Sequence, residues 1–202
     1  MKIEYVVLDE NLNWEDLKDS IALLPPNRQN KIARYRFEKD KLLSLAAGLL
    51  IRRAIGESPI FFGEHDKPYA DCGVFFSVSH SGRVAAIATD DAEVGLDIEQ
   101  LPDKSRLKIA DRFYHPRERV YVKESQDSCR AFCEIWTRKE AVLKMTGEGI
   151  STDLTAFDTT ALPLSAQLYT SALDGYCLSV CSADPIGDNP IDISELELKN
   201  LL

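Results

Sequence analysis

Val94-Gly95-Leu96-Asp97-Ile98-Glu99 predicts a β-strand that carries two carboxylates on one face. Side chains two apart on a strand point to the same side, so Asp97 and Glu99 project together while Leu96 and Ile98 face a core. Two neighbouring carboxylates repel each other unless a cation or solvent lies between them. An Asp-x-Glu pair is also common on solvent-facing strands, so this run alone leaves a metal site and an exposed strand edge both open.

A second run, about forty residues later, predicts a helix that carries a third carboxylate: Trp136-Thr137-Arg138-Lys139-Glu140-Ala141-Val142-Leu143-Lys144. Trp136, Glu140 and Lys144 are four residues apart, so they share one stripe of a helix predicted over 131–145. An exposed Glu–Lys pair is the alternative, but a tryptophan seldom lies on a fully solvated stripe. A carboxylate is a ligand that Mg²⁺ accepts, and a lysine neutralises a phosphate oxygen. Asp97, Glu99 and Glu140 are therefore candidate Mg²⁺ ligands, and Lys144 is a candidate phosphate contact.

A histidine between serines ends an apolar strand in the run Phe75-Phe76-Ser77-Val78-Ser79-His80-Ser81-Gly82. Backbone N–H groups of a turn can bind a phosphate, and a histidine beside a pyrophosphate can stabilise leaving charge. A turn histidine with ordinary hydrogen bonds is the alternative. The chain has no Gly-x-Ser-x-Gly elbow, which argues against a Ser–His–Asp hydrolase.

The remaining pattern predicts an α+β protein. Apolar spacing predicts one helix over 27–55 and short helices over 107–113 and 116–123, and alternating or β-branched stretches predict the strands. These strands are 1–9, a meander of 74–79, 84–89 and 93–99, and a second group of 154–159, 165–170 and 176–182. Because each half of the chain has helices followed by strands, we expect two small α+β lobes, residues 1–100 and 101–202.

Composition excludes several classes of protein. The 202 residues carry a net charge of −9, which argues against nonspecific nucleic-acid binding. No run approaches the length of apolar sequence that a membrane span needs, and the alternating, acid-bearing start is unlike a secretory signal, so we expect a cytoplasmic protein. The five cysteines are expected to be reduced thiols, since Cys-x-x-Cys is absent and the three histidines are scattered.

Positive charge is concentrated in two segments of this acidic chain. Residues 28–53 hold eight basic and two acidic side chains, a local charge of +6, and residues 101–123 hold seven and three, a local charge of +4. Solvated helix faces explain either segment alone. Two such segments flanking the candidate metal residues favour an anionic ligand, an anionic partner, or both.

In order and spacing, the three runs resemble the 4′-phosphopantetheinyl transferases of the Sfp type. The motifs Arg34-Tyr35-x-Phe37 and Asp66-Lys67-Pro68 resemble earlier landmarks of the same family. The resemblance covers nearly the whole chain. It implies a pseudo-twofold pair of similar α+β lobes in one monomer, with the active site in the cleft between the lobes.

The resemblance also implies a reaction and roles for individual residues. The enzyme would move the phosphopantetheine arm of coenzyme A to a serine of an apo acyl or peptidyl carrier protein and release adenosine 3′,5′-bisphosphate. Mg²⁺ on the pyrophosphate would be held by Asp97, Glu99 and Glu140, and Glu140, directly or through a water, would help take the serine proton. Lys144 and His80 would offset charge on the breaking pyrophosphate. The nucleotide end of coenzyme A would be held by Arg28, Lys31, Lys67 and Ser79.

An acidic enzyme needs local positive charge to dock an acidic carrier, so we expect the docking surface at 101–123, helped by Leu101 and Leu107.

The chain departs from the family in two places. An arginine common in the early helix is missing near Leu43 and Ser44, and Gln100 follows the Asp-x-Glu pair. A Mg²⁺-dependent nuclease and a noncatalytic interaction module remain alternative functions.

Overall fold

The computed structural model describes residues 1–149, 152–186 and 191–202. Its helices and strands, in chain order, are β1 (Lys2–Val7), α1 (Trp14–Leu17), α2 (Pro26–Ala33), α3 (Glu38–Ile55), β2 (Ile60–Phe62), β3 (Pro68–Ala70), β4 (Phe75–Ser81), β5 (Val84–Asp90), β6 (Val94–Gln100), α4 (Ile109–Phe113), α5 (Pro116–Glu124), α6 (Ser128–Thr146), β7 (Leu168–Leu173), β8 (Tyr176–Ser182) and β9 (Asp192–Glu195). Short 3₁₀ helices connect several of them. The fold is mixed α+β, as the sequence predicts.

One sheet is built mainly from the first half of the chain, with strand order β4-β5-β1-β9. Its strands are antiparallel except for β9, which runs parallel to β1 in a register that pairs Lys2 with Asp192. The long helix α3 covers this sheet, and its apolar stripe packs with Val6, Phe76 and Ile87. The sequence prediction missed β9, because its four residues are too few to show a period.

A second, three-stranded sheet has the order β6-β8-β7, and α6 covers one of its faces. Asp127 caps the start of α6 by accepting a hydrogen bond from the backbone N–H of Arg130, and the helix ends at Gly147, whose φ of 75° is the left-handed conformation of a C-cap. The prediction of a helix over 131–145 is confirmed, and the prediction of a strand over 176–182 is confirmed as β8.

The two sheets meet where β4 lies beside β6. The serines of β4 contact β6 in the same order along both strands: Ser77 accepts from the backbone N–H of Leu96, Ser79 donates to Asp97, and Ser81 donates to Glu99. An apolar cluster that includes Ile3, Val84, Leu96 and Ile98 joins the faces of the two sheets that α3 and α6 do not cover. The three predicted strands are confirmed as β4, β5 and β6, and the predicted meander is right for the β4–β5 pair. It is wrong for β6, which pairs with β8 rather than with β5.

Two further predictions are wrong for tertiary reasons. The helix predicted over 27–55 is two helices, because Ile32 of α2 folds back to pack with Leu45 and Leu49 of α3, which one straight helix would prevent. The strand predicted over 154–159 is a 3₁₀ turn and loop, and its carbonyls at Leu154 and Phe157 accept from Lys139. The strand predicted over 165–170 begins later, at Leu168. Across the described residues, no helix is both long enough and apolar enough to cross a membrane.

Candidate active site

Asp97 lies at the centre of a hydrogen-bonded group between the two sheets. Its side chain is buried, and its Oδ1 accepts from Ser79 Oγ at 2.8 Å and from Lys144 Nζ at 2.7 Å. Lys144 Nζ also donates to Ser79 Oγ at 3.0 Å. Strand β4, strand β6 and helix α6 therefore each contribute one side chain to a single cluster.

Gly95 explains why α6 approaches β6 closely enough for this contact. A Cβ at Gly95 would lie 2.0 Å from the carbonyl oxygen of Ala141 and 2.3 Å from the backbone nitrogen of Met145. Only a residue without a side chain fits beneath the helix there. Because Gly95, Asp97 and Glu99 share the face of β6 that α6 covers, the glycine brings the helix down onto the two carboxylates.

The three candidate acids influence each other electrostatically. Burial, followed by the negative charge of Asp97, raises the pKa of Glu140, and Glu99 adds to the effect. Burial also raises the pKa of Glu99, although the hydrogen bond that Ser81 donates at 2.6 Å opposes the shift. Such a set of acids is destabilised by its own negative charge and gains from a nearby cation.

One observation fits these residues to a divalent cation. Among the described residues, Asp97 Oδ2 is buried and has no hydrogen-bond partner, so one oxygen of the central carboxylate is free to bind a cation. Carboxylate oxygens are ligands that Mg²⁺ prefers. In the part of the chain that the structure describes, no three His, Cys, Asp or Glu side chains converge tightly enough to form a preassembled metal cluster. The Lys144 ammonium instead lies against Asp97.

Arg28 and Lys31 of α2 line a cavity of about 280 Å³ with Val78 of β4. Burial lowers the pKa of Arg28, and burial together with Arg28 lowers the pKa of Lys31. Two cations that crowd each other in this way favour an anion between them. Arg28 Nε also donates to the carbonyl of Ser44 at 3.3 Å.

His80 extends from β4 toward these cations. Although the residue is exposed, partial desolvation, followed by the charges of Arg28, Lys31 and Lys144, lowers its pKa below the ordinary value of 6.5. The imidazole is therefore mainly neutral near pH 7. Arg28, Lys31 and Lys144 together make the surroundings of this imidazole positive.

Two predicted nucleotide contacts, Ser79 in the Asp97 cluster and Lys67, bond to protein groups and do not line the cavity of Arg28 and Lys31. Lys67 donates from its Nζ to the carbonyl of Met145 at 2.7 Å and pairs with Glu93. It also lines a cavity of about 260 Å³ together with Glu140 and Lys144, so it lies near the predicted site while being bonded to protein groups.

Several residues that shape this region were missed by the sequence prediction. Gly95 belongs to the quoted run, but only the helix above it reveals its function. Ser44 on α3 is buried, and its hydroxyl has no partner, next to the helix that carries Arg28. A lone serine in an apolar helix gives no spacing signal. A third cavity, of about 140 Å³, lies beyond Glu99 and is lined by Arg106, Phe132 and Trp136.

The chain matches known proteins over its whole length. The family model of the 4′-phosphopantetheinyl transferase superfamily matches residues 93–187. The 4′-phosphopantetheinyl transferase Sfp of Bacillus subtilis (strain 168) is 30% identical over 227 residues, covering 100% of both chains. The 4′-phosphopantetheinyl transferase psf-1 of Bacillus pumilus is 32% identical over 231 residues, covering 100% of this chain and 97% of its own. The 4′-phosphopantetheinyl transferase AcpT of Salmonella typhimurium is 32% identical over 158 residues, covering 75% of this chain and 81% of its own.

Proposed function

This chain belongs to the 4′-phosphopantetheinyl transferase superfamily and is an enzyme of that family, and we propose that it moves phosphopantetheine from coenzyme A to a serine of an apo carrier protein. The product besides holo carrier is adenosine 3′,5′-bisphosphate. The single observation that carries the proposal is the cluster in which Asp97, Ser79 and Lys144 meet beside Glu140.

The nucleotide end of coenzyme A would lie in the cavity that Arg28 and Lys31 line. Their mutual repulsion is relieved by a phosphate, which supplies the missing negative charge. The unpartnered hydroxyl of Ser44 lies on the helix that packs against Arg28 and is a further candidate contact, in place of the arginine that this chain lacks. We propose that Lys67 joins these contacts when a phosphate replaces one of its protein partners.

Asp97, Glu99 and Glu140 would hold one Mg²⁺. When bound, this ion neutralises charge on the pyrophosphate oxygens and makes the phosphorus more electrophilic. The free, buried Oδ2 of Asp97 and the raised pKa values of Glu99 and Glu140 support this assignment. Ser79 and Ser81 orient the two strand carboxylates by donating to them at 2.8 and 2.6 Å.

The transfer itself joins the serine oxygen of the carrier to the β-phosphorus of coenzyme A. The bond from that phosphorus to the bridging oxygen breaks, and its electron pair leaves with the nucleotide. Glu140 takes the serine proton, directly or through a water, because its carboxylate lies at the acid cluster where the serine would meet the pyrophosphate. Lys144 offsets the charge that grows on the leaving phosphate, and the neutral His80 ring donates a hydrogen bond to it.

The pantetheine arm would run from the pyrophosphate toward the cavity beyond Glu99. Trp136 and Phe132 give that cavity an apolar wall, and Arg106 adds a polar donor at its edge. An arm made of methylene and amide groups suits such a lining. This assignment also gives Trp136 a role on the stripe that it shares with Glu140 and Lys144.

The carrier would dock on residues 101–123, the second basic segment. Lys108 and Arg112 are exposed there, and so are the apolar side chains of Val120 and Tyr121. Glu118 lies in the same segment but is fully buried, so it does not weaken the positive surface. Leu107 packs into the core of this half and Leu101 is half-buried, so Val120 and Tyr121 replace them as the apolar part of the surface.

We further propose that residues 1–100 and 101–202 are the two lobes of a pseudo-twofold monomer. One long helix, α3 or α6, lies across each of the two larger sheets, and β6 from the first half joins the sheet of the second. Strand β9 crosses from the second half to complete the first sheet.

We place the enzyme in the cytoplasm because all five cysteines are free thiols, and a reducing compartment keeps thiols in that state.

The test is to incubate the enzyme with several apo carriers, coenzyme A and Mg²⁺ and to measure the intact mass of each carrier. A gain of one phosphopantetheine group supports the proposal. DNA cleavage without any mass gain would favour the nuclease. If neither activity were observed, the noncatalytic interaction module would be the remaining function. Glu140→Ala should abolish the mass gain without changing the circular dichroism spectrum. Glu57→Ala, which removes an exposed acid distant in sequence from Glu140, is the control and should leave the mass gain intact. Lys108→Glu with Arg112→Glu should raise the apparent KM for the carrier and leave that for coenzyme A unchanged.

A further inference from the structure

The last turn of α6 is held by a turn from the first half of the chain. His65 Nδ1 lies 3.0 Å from the carbonyl oxygen of Gly147, and Lys67 Nζ donates to the carbonyl of Met145 at 2.7 Å. Backbone carbonyls at a helix C-terminus have no partner within the helix. Two of these carbonyls are therefore capped by side chains that come from about eighty residues earlier.

The turn that supplies these side chains is strained. His65 and Asp66 have φ values of 53° and 60°, the left-handed region that non-glycine residues avoid, and they are adjacent. Such residues persist where surrounding contacts fix them. The backbone N–H of Gly63 closes the turn by donating to the carbonyl of Lys67 at 2.9 Å.

The contact between His65 and the end of α6 is close. A Cβ at Gly149 would lie 3.1 Å from the His65 ring, so the ring packs directly over that glycine. Gly147 has a φ of 75° and Gly149 one of 70°, which turns the chain away from the helix and leaves room for the imidazole. The strained turn and the glycines beyond α6 thus fit each other.

Lys144 lies in this same last turn. Helix ends open more readily than helix centres, so a side chain placed there is aimed less firmly unless the end is held. The structure assigns to His65 the role of a positioning residue, which acts through the carbonyl of Gly147 to keep Lys144 on Asp97 and Ser79. This inference rests on the proposed function, in which Lys144 offsets charge as the pyrophosphate breaks.

The test compares His65→Ala with His65→Asn and with Tyr69→Ala. Asparagine tolerates the left-handed conformation and its amide can donate to the Gly147 carbonyl, so it is the conservative variant. Tyr69 is exposed in the same hairpin and packs on Phe61 rather than on α6, so Tyr69→Ala is the matched control. The readouts are hydrogen exchange of the backbone amides from Lys144 to Gly147, and kcat and KM for phosphopantetheine transfer.

His65→Ala should speed exchange at these amides and lower kcat about tenfold, with a smaller change in the KM for coenzyme A, because misplacing Lys144 weakens its contact with developing charge. His65→Asn should restore both, and Tyr69→Ala should change neither. Unchanged exchange in His65→Ala, or faster exchange with an unchanged kcat, would overturn the inference. A wild-type protein without transfer activity would refute the proposed function instead, and the exchange measurement alone would then decide whether His65 holds the helix end.

Discussion

Lys144 Nζ donates to Asp97 Oδ1 at 2.7 Å, which joins the last turn of α6 to the middle of β6. The same carboxylate keeps its second oxygen buried and free of any partner. One oxygen of this carboxylate is paired with the lysine that would face the phosphate. The other oxygen is the candidate metal ligand. The proposed chemistry depends on this arrangement.

Asp97→Asn should remove the stabilisation that Mg²⁺ gives the protein in the presence of coenzyme A. An amide carries no charge to attract the ion, and a ligand that binds only the folded state raises the melting temperature by mass action. Thermal unfolding with and without Mg²⁺ measures the effect, and the wild type should gain several degrees. Asp91→Asn, an exposed acid just before β6, should gain as much as the wild type. If Mg²⁺ raised the melting temperature of Asp97→Asn as much as that of the wild type, Asp97 would not be a ligand of the ion.

Gly95→Ala should lower both stability and transfer activity. The new Cβ meets backbone atoms of Ala141 and Met145, which cannot rotate away, so α6 has to shift from β6 and carry Glu140 with it. We expect a loss of about 2 kcal/mol or more in the free energy of unfolding and a fall in kcat. Gly63→Ala, whose Cβ would lie 3.7 Å from its nearest neighbour, is the control and should unfold like the wild type. Wild-type stability in Gly95→Ala would show that the close approach is not needed.

Lys139→Met should destabilise the protein strongly. Lys139 and Glu118 form a fully buried ion pair at 2.7 Å, and the other partners of Lys139 are the carbonyls of Leu154 and Phe157. Removing the lysine leaves a buried carboxylate without its cation, which costs about 3–5 kcal/mol. Chemical denaturation measures the loss, and adding Glu118→Gln to this variant should recover part of it.

The control for that pair is Lys199→Met, which breaks an exposed pair with Glu197. Exposed pairs contribute little, so its denaturation midpoint should not move. If Lys139→Met were as stable as Lys199→Met, the buried pair would not be what fixes the 154–159 segment against α6.

His80 should titrate below 6.5 in the folded protein, because desolvation and the charges of Arg28, Lys31 and Lys144 all disfavour its protonated form. The unfolded chain then binds this proton more readily than the native state, so His80 lowers the free energy of unfolding as the pH falls through 6.5. Imidazole NMR signals recorded against pH give the pKa directly. Arg28→Ala should raise it, and Arg34→Ala, which removes an exposed arginine at the end of the same helix, should not. A pKa above 6.5 in the wild type would contradict the assignment of a neutral imidazole.

The sequence predicted the two elements that carry the site because each has a clear period. Alternation placed Asp97 and Glu99 on one face of β6, and the four-residue spacing placed Glu140 and Lys144 on one stripe of α6. Neither period says which elements become neighbours. The meander was wrong at its third strand for this reason: β6 turns away from β5 and pairs with β8 near the end of the chain.

The sequence also did not predict contacts that depend on single residues. The break between α2 and α3 follows from packing Ile32 on Leu45, and no glycine or proline marks it. Lys67 was expected on the nucleotide, yet its Nζ bonds to Met145 and Glu93 in the structure. Local pattern reveals which side chains share a face, and tertiary packing decides what they face.

Crystals grown with coenzyme A and Mn²⁺ would locate the ion through its anomalous scattering. We predict one peak bound by carboxylate oxygens of Asp97, Glu99 and Glu140 at about 2.0–2.3 Å, with the pyrophosphate as a further ligand. A peak elsewhere, or a peak held by the two strand acids with Glu140 turned away, would contradict the claim that β6 and α6 converge on one ion.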